Sequence, residues 1–264
     1  MSGEKRTKIS RLLRAWPQGT VAVSRWLEQQ GAYQQLRHTY EKGGWIERIG
    51  QGAYTRAGDA VEWTGGLYAL QQQLRLPVHA AARTALQIQG YAHFLPLGKG
   101  GTVTLFGVSG VRLPGWFRRH AWGVTLHYVT TRMFGDKPDM GLTDRSMGGW
   151  SVRLSAPERA MMEFLYLVPG RESFAEASLL MEGLTTLRPG LVQSLLEKCR
   201  SVKVKRLFMH LAERHNHPWL KHLDLSKVDF GRGKRMIVKG GRFDAKYRIT
   251  VPAQDFDMEN VVEV

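Results

Sequence analysis

The chain has almost no cysteine. Cys199 is the single one in 264 residues, which excludes an internal disulfide framework and a cysteine-rich zinc site. No apolar run approaches the roughly 20 residues that a membrane span needs. The charged first ten residues are not followed by an apolar stretch, so a secretory leader is not expected. Together these absences point to a reducing, cytoplasmic setting. Acidic residues are scarce: 23 Asp and Glu stand against 38 Lys and Arg, a net charge of +15. A Ser/Gly/Pro-rich linker, an internal repeat and a low-complexity tract are also missing. What is present is 43% apolar residues, enough for one large core or two modest ones.

A basic excess of this size points to a polyanionic partner, nucleic acid first. The plainer alternative is a housekeeping role in a basic proteome or beside the ribosome. The charge is divided along the chain. Residues 1–58 carry ten basic and four acidic side chains, and residues 198–248 carry fifteen and four. Residues 253–264 hold Asp255, Asp257, Glu259 and Glu263 without a cation and read as a mobile acidic tail. Two basic segments suggest two contacts, unless one is merely a solvated face.

The first sixty residues are the most informative. Ile9, Leu12, Leu13 and Trp16 recur with the spacing of one helical stripe, and Pro17 and Gly19 end it. A β-branched stretch, Thr20–Val23, leads to Ser24, placed as an N-cap for a helix over 25–30. Gly31 stops that helix and a third runs from Tyr33 to Lys42. Trp45–Ile49 and Ala53–Arg56 read as strands joined by the turn Gly50-Gln51-Gly52. Three helices and a hairpin in this order predict a winged helix-turn-helix.

Tyr33, Leu36 and Tyr40 are expected to pack inward. The opposite face then presents Gln34, Gln35, His38 and Lys42, with Arg37 on its flank. Glutamine pairs bidentately with adenine and arginine with guanine in the major groove. Ser24 and Arg25 at the start of the second helix, with Lys42, suit phosphate contacts. Arg48, Gln51 and Arg56 on the hairpin are placed to meet the flanking groove or backbone. The plainer reading of each is a solvated surface.

Gly58-Asp59 reads as the junction to a second part, 59–252. Asp59 with Glu62 forms a capping-box pattern opening a helix to about Leu76, and a further helix is expected over 79–89. Strands are expected over 102–106, 124–129 and 150–154. Ser155 with Glu158 and Ser173 with Glu176 repeat the capping-box pattern ahead of two helices. Helices over 189–200 and 202–215 and strands after Phe230 complete an α+β chain.

Catalytic patterns are weak. His215-Asn216-His217 lacks the ββα-metal setting of a nuclease. Asp136, Asp139 and Asp144 lack the glycine and glutamate of a calcium loop. Gly98–Thr102 lacks the Gly-Lys-[Ser/Thr] of a phosphate loop. Cys199 has no histidine–acid arrangement aimed at it. No nucleophile, base and oxyanion site assembles, so neither an enzyme, a metal nor a cofactor is expected.

The chain resembles the AbiEi antitoxins of type IV toxin–antitoxin, or abortive infection, systems. The resemblance lies in Gly43–Tyr54, Arg56–Asp59, Trp63, Tyr68–Leu74, Pro77–His79, Arg83–Gly90, Ala92–Gly98 and Ser155–Arg159. His79-Ala-Ala-Ala82 departs from it, since glycines are expected after the histidine. The resemblance implies a two-domain regulator. An N-terminal winged helix binds inverted repeats upstream of its operon, and a C-terminal α/β domain counteracts a nucleotidyltransferase-like toxin. For that antitoxin action the resemblance offers no residue motif. The charge-dense segment places it on Lys198, Arg200, Lys203, Lys205, Arg206, Arg232, Lys234, Arg235 and Lys239. The rival readings are a winged-helix-targeted nucleic-acid-processing enzyme and an RNA-binding protein.

Overall fold

The computed structural model describes residues 3–92 and 100–253, the first five of them as backbone only. The acidic tail beyond Ala253, and residues 98 and 99 of the glycine-rich loop, lie outside the described residues. The fold is mixed α+β. It falls into two compact units, Met1–His79 with Gly98–Thr130 and Asp144–Leu154, and Ala80–Leu97 with Thr131–Thr143 and Ser155–Val264. The Gly58-Asp59 junction lies inside the first unit.

The first unit begins with helix α1 (Gly3–Ala15), strand β1 (Ala22–Val23), helices α2 (Ser24–Gln29) and α3 (Gln34–Lys42), and strands β2 (Ile46–Gly50) and β3 (Ala53–Arg56). The three strands pair antiparallel in the order β1-β3-β2. The hairpin closes through Gln51-Gly52, with Gly52 at φ +73°, a backbone conformation that glycine adopts without steric cost. Trp16, Leu27, Leu36, Tyr40, Ile46 and Tyr54 form the core beneath. Burying each such side chain contributes about 1.5–3 kcal/mol. Two local expectations are corrected. Ser24 is the first helical residue of α2, and Val23 is its cap. Tyr33 caps α3 and is 56% exposed, so it does not pack inward.

Next comes helix α4 (Trp63–Tyr68), which widens into a π-helical turn over Ala69–Gln73. Asp59 does not cap it. Its carboxylate accepts from the Gly19 N–H, 2.9 Å away, and the cap is Glu62. The Gly65 carbonyl accepts from the Val21 N–H at 3.2 Å, and a Cβ on Gly65 would strike the Gly19 carbonyl. Strand β4 (Val78–Ala80) includes His79, which is buried and does not start a helix; the helix α5 begins later (Ala82–Ile88). Strand β5 (Thr102–Val108), helix α6 (Gly115–Arg119) and strands β6 (Thr125–Thr131), β7 (Leu142–Ser146) and β8 (Ser151–Ser155) follow. A five-stranded sheet results, ordered β6-β5-β4-β8-β7. The buried Gln71 amide stitches two neighbours. It donates to the Val78 carbonyl at 2.8 Å and exchanges two bonds with the Arg153 backbone.

The second unit is mostly helical. Helix α7 (Pro157–Leu167) packs against α5 and against α8 (Phe174–Glu182), α9 (Pro189–Lys198) and α10 (Val202–Arg214). The capping box at Ser173 and Glu176 is present. The one at Ser155 and Glu158 is not. The Ser155 hydroxyl donates instead to Glu163 at 2.5 Å, and Arg159 donates to the same carboxylate at 2.7 Å. Glu163 is fully buried, so its charge needs these donors, which the Ala82 N–H joins at 3.4 Å. Glu158 accepts two guanidinium bonds and a backbone bond from Arg188. Three short strands, β9 (Arg235–Met236), β10 (Arg242–Asp244) and β11 (Ile249–Val251), close the chain in the order β10-β11-β9.

Candidate nucleic-acid interface

Leu36 and Tyr40 anchor α3 to the core, which fixes the phase of its other positions. Gln34, Gln35, His38 and Lys42 are all exposed on the remaining face. Two exposed aromatics flank them, Tyr33 before the helix and Trp45 after Gly43-Gly44. The inward reading of Tyr33 hid one; Trp45 carried a signal in the Gly-Gly break before it.

Arg37 is placed elsewhere. Its side chain is 8% exposed and donates to the Glu28 carboxylate and the Ala32 carbonyl, both at 2.9 Å. It joins α3 to α2 and does not share the exposed face. Arg48, on β2, reaches back to Glu41 of α3 at 3.4 Å, donates to the Tyr54 hydroxyl and lies over that ring. The hairpin is thereby held against α3. Gln51 stands exposed at its tip. Arg56 is half-buried, donating to the Trp16 carbonyl at 3.2 Å. On α2, Arg25 is exposed and Ser24 half-buried. The exposed set is therefore Arg25, Gln34, Gln35, His38, Lys42 and Gln51, with Arg48 half committed to Glu41.

The basic segment of the second unit divides in the same way. Lys198, Arg200, Arg232, Lys234, Arg235 and Lys239 are exposed. Lys205 and Arg206 are buried, and Lys203 is half-buried. The Lys203 ammonium donates to the Tyr166 and Val168 carbonyls, and burial lowers its pKa. Lys205 is buried in α10. Arg206 is 1% exposed and donates to the carbonyls of Phe230, Gly231, Gly233 and Arg248. Burial, with Arg235 and Arg248 nearby, lowers its pKa. It is a strut beneath the C-terminal strands. The exposed cations are joined by two exposed apolar residues, Met236 and Phe243, and Lys234 sits 5.0 Å over the Phe243 ring.

The weak catalytic patterns have structural occupations. His217 is buried, bonded to the Met181 carbonyl at 2.7 Å and stacked on Trp219. His215 bonds Ser178 at 3.1 Å. Burial lowers the pKa of both histidines. Cys199 is buried, which raises its thiol to about 11 and leaves it protonated at neutral pH. Among the described residues no three His, Cys, Asp or Glu side chains are grouped to hold a metal ion. No helix among them is long and apolar enough to cross a membrane.

Two family models match the chain. One, described as a transcriptional regulator, AbiEi antitoxin N-terminal domain, covers residues 5–97. The other, described as a transcriptional regulator, AbiEi antitoxin, type IV TA system, covers residues 100–252. The crystal structure of the RV2827C protein from Mycobacterium tuberculosis has a similar fold. Its TM-score is 0.59 at 14% sequence identity, over 92% of this chain and 90% of that one. No curated protein matches.

Proposed function

The chain belongs to the AbiEi antitoxins, transcriptional regulators of type IV toxin–antitoxin systems, and on that premise we propose that it represses its own operon. Residues 1–58 act as a winged helix-turn-helix in this reading. The helix α3 enters the major groove of an inverted-repeat operator and the β2–β3 hairpin is the wing. The observation that carries it is the exposed polar face of α3, Gln34, Gln35, His38 and Lys42, beside a hairpin whose Arg48 reaches Glu41 of that helix. Gln34 and Gln35 have the donor–acceptor pair that adenine presents. Arg25 and Lys42 supply phosphate contacts, which make affinity fall steeply with salt.

The remainder, 59–252, counteracts a nucleotidyltransferase-like toxin, without catalysis of its own and in the cytoplasm. The exposed cations Lys198, Arg200, Arg232, Lys234, Arg235 and Lys239 are the contact surface for that action. Phe243 among them also favours a second reading, in which this surface meets RNA, because an exposed ring between cations stacks a base.

The test is a titration of the full chain against the DNA upstream of its gene, with unrelated DNA alongside at physiological salt. A preference of about a thousandfold or more is expected for specific operator binding. Equal, weak and salt-sensitive binding to both overturns the repressor reading and puts the RNA reading first.

A further inference from the structure

A cleft of about 540 Å³ opens in the first unit beside α2. That volume lies within the range of small-molecule sites. Arg25, Trp26 and Gln29 of α2 form one wall, and Tyr68, Gln72 and Arg75 the other. Two guanidiniums therefore face a cleft whose walls carry no carboxylate. Among the described residues neither Arg25 nor Arg75 has an ion-pair partner; Arg75 donates to the Gln72 amide at 3.5 Å and lies near the Tyr68 phenol. An indole and a phenol ring stand with them, and side-chain amides complete the walls.

The backbone here is unusual. The second wall is the π-helical turn Ala69–Gln73 and its exit. Such turns cluster at functional sites because the added residue turns side chains off the regular helical phase. Arg75 sits at φ +54° in the left-handed region, which a long L side chain adopts at a cost. The positive φ ends the π turn, where the Leu76 N–H donates to the Leu70 carbonyl at 2.9 Å, and among the described residues the guanidinium pairs with no carboxylate.

We propose that this cleft binds a nucleoside phosphate. The chemistry divides in the way such a ligand does. Guanidiniums take phosphate oxygens in bidentate fashion. Indole and phenol rings stack on a planar base. Glutamine amides match the donors and acceptors of its edge. Uncharged or purely apolar ligands leave both arginines unanswered.

The cleft is also linked to the start of α2. Gln73, the last residue of the π turn, accepts from the Val23 N–H at 2.8 Å and donates to the Val21 carbonyl at 2.9 Å. Val23 caps α2, and Leu27 of α2 shares the buried core with Leu36 and Tyr40 of α3. An occupant touching both walls therefore biases the pose of α2. This linkage, and the competition of operator phosphate and nucleotide for Arg25, rest on the DNA-binding reading above; nucleotide binding itself does not.

Calorimetric titration of the full chain with ATP, GTP, adenosine and inorganic phosphate tests the proposal in the absence of DNA. ATP or GTP is expected to saturate the protein at least about tenfold more tightly than either fragment, adenosine or phosphate. Arg75→Gly, which suits the φ of +54° and removes the guanidinium, is expected to weaken that binding by about tenfold or more. Arg75→Lys retains part of it. No saturation by either nucleotide at millimolar concentration overturns the proposal, as does binding no tighter than phosphate alone. Arg75→Gly that spares nucleotide binding also overturns it. Because no DNA is present, failure here is distinct from failure of the operator titration.

Discussion

Replacing Arg37 separates the two roles an arginine can take on the helix proposed to read DNA. Its guanidinium gives one bond to Glu28 and one to the Ala32 carbonyl, both at 2.9 Å. Arg37→Met keeps the aliphatic stem and removes both bonds. The bond to the buried Ala32 carbonyl is worth about 1 kcal/mol, and leaving that oxygen without its donor adds a desolvation cost of about 1 kcal/mol. The ion pair adds little, because Glu28 is 54% exposed and its charge is largely screened. The expected loss is about 2 kcal/mol, which is roughly a thirtyfold shift toward the unfolded state. Urea unfolding followed by circular dichroism measures it, and the midpoint should move without a change in slope. Glu28→Ala should cost under about 1 kcal/mol, and the double variant should be less than additive. Operator affinity of the folded variant should keep its sequence preference. Stability within about 0.5 kcal/mol of the parent, with preference relaxed at one base pair, would refute this account and return Arg37 to the reading face.

Three further outcomes follow from other sites. Gln35→Ala should leave stability within about 0.5 kcal/mol and cost about 1–3 kcal/mol of operator binding, concentrated at one base pair in a mutated-site series. Arg206→Met should cost about 3 kcal/mol or more, because the Phe230, Gly231 and Gly233 carbonyls lose their donor, and hydrogen exchange should show β9, β10 and β11 opening first. Burial raises the Glu158 carboxyl, but the bonds from Arg188 outweigh it and hold the pKa below its ordinary 4.5. Its contribution is therefore complete above pH 4.5 and is lost as pH falls through the lower folded value. Glu158→Gln should be less stable than the parent at pH 7, and the gap should narrow in acid, as thermal unfolding across a pH series will show; a gap constant with pH counts against the assignment.

Local signals in the sequence were legible wherever short-range chemistry decided the structure. The α1 stripe, the Gly31 stop, the Gln51-Gly52 turn and the Ser173–Glu176 box all depend on neighbours within a few residues. Misreadings occurred where a distant partner won. Asp59 matched a capping box, but its carboxylate is taken by Gly19, forty residues earlier. Ser155 matched one too, but it serves the buried charge of Glu163. His79 lies in a strand because β4 pairs between β5 and β8, which no helical pattern reveals. Strand β7 is polar and largely exposed at the edge of its sheet, so it lacks the alternation that marks a half-buried strand. For the candidate site, the exposed face of α3 followed from helical phase. The inward turn of Arg37, Lys205 and Arg206 did not, since long cations pack in either direction and only carbonyl or carboxylate partners decide.

The bonds that cross residue 58 bear on how such a regulator can acquire a new operator. Asp59 holds Gly19, the Gly65 carbonyl holds Val21, Gln73 holds Val21 and Val23, and the Trp150 indole donates to the Gln18 carbonyl. Cutting at 58 to transplant the first three helices and hairpin would strand these backbone groups and open the glycine contact at Gly65. A chimera should therefore tolerate exchange of the α3 surface residue by residue, and reject exchange of the whole head. If α3 reads the operator as proposed, divergence of specificity in this architecture is expected to proceed by substitution within one helix face, and not by shuffling of modules.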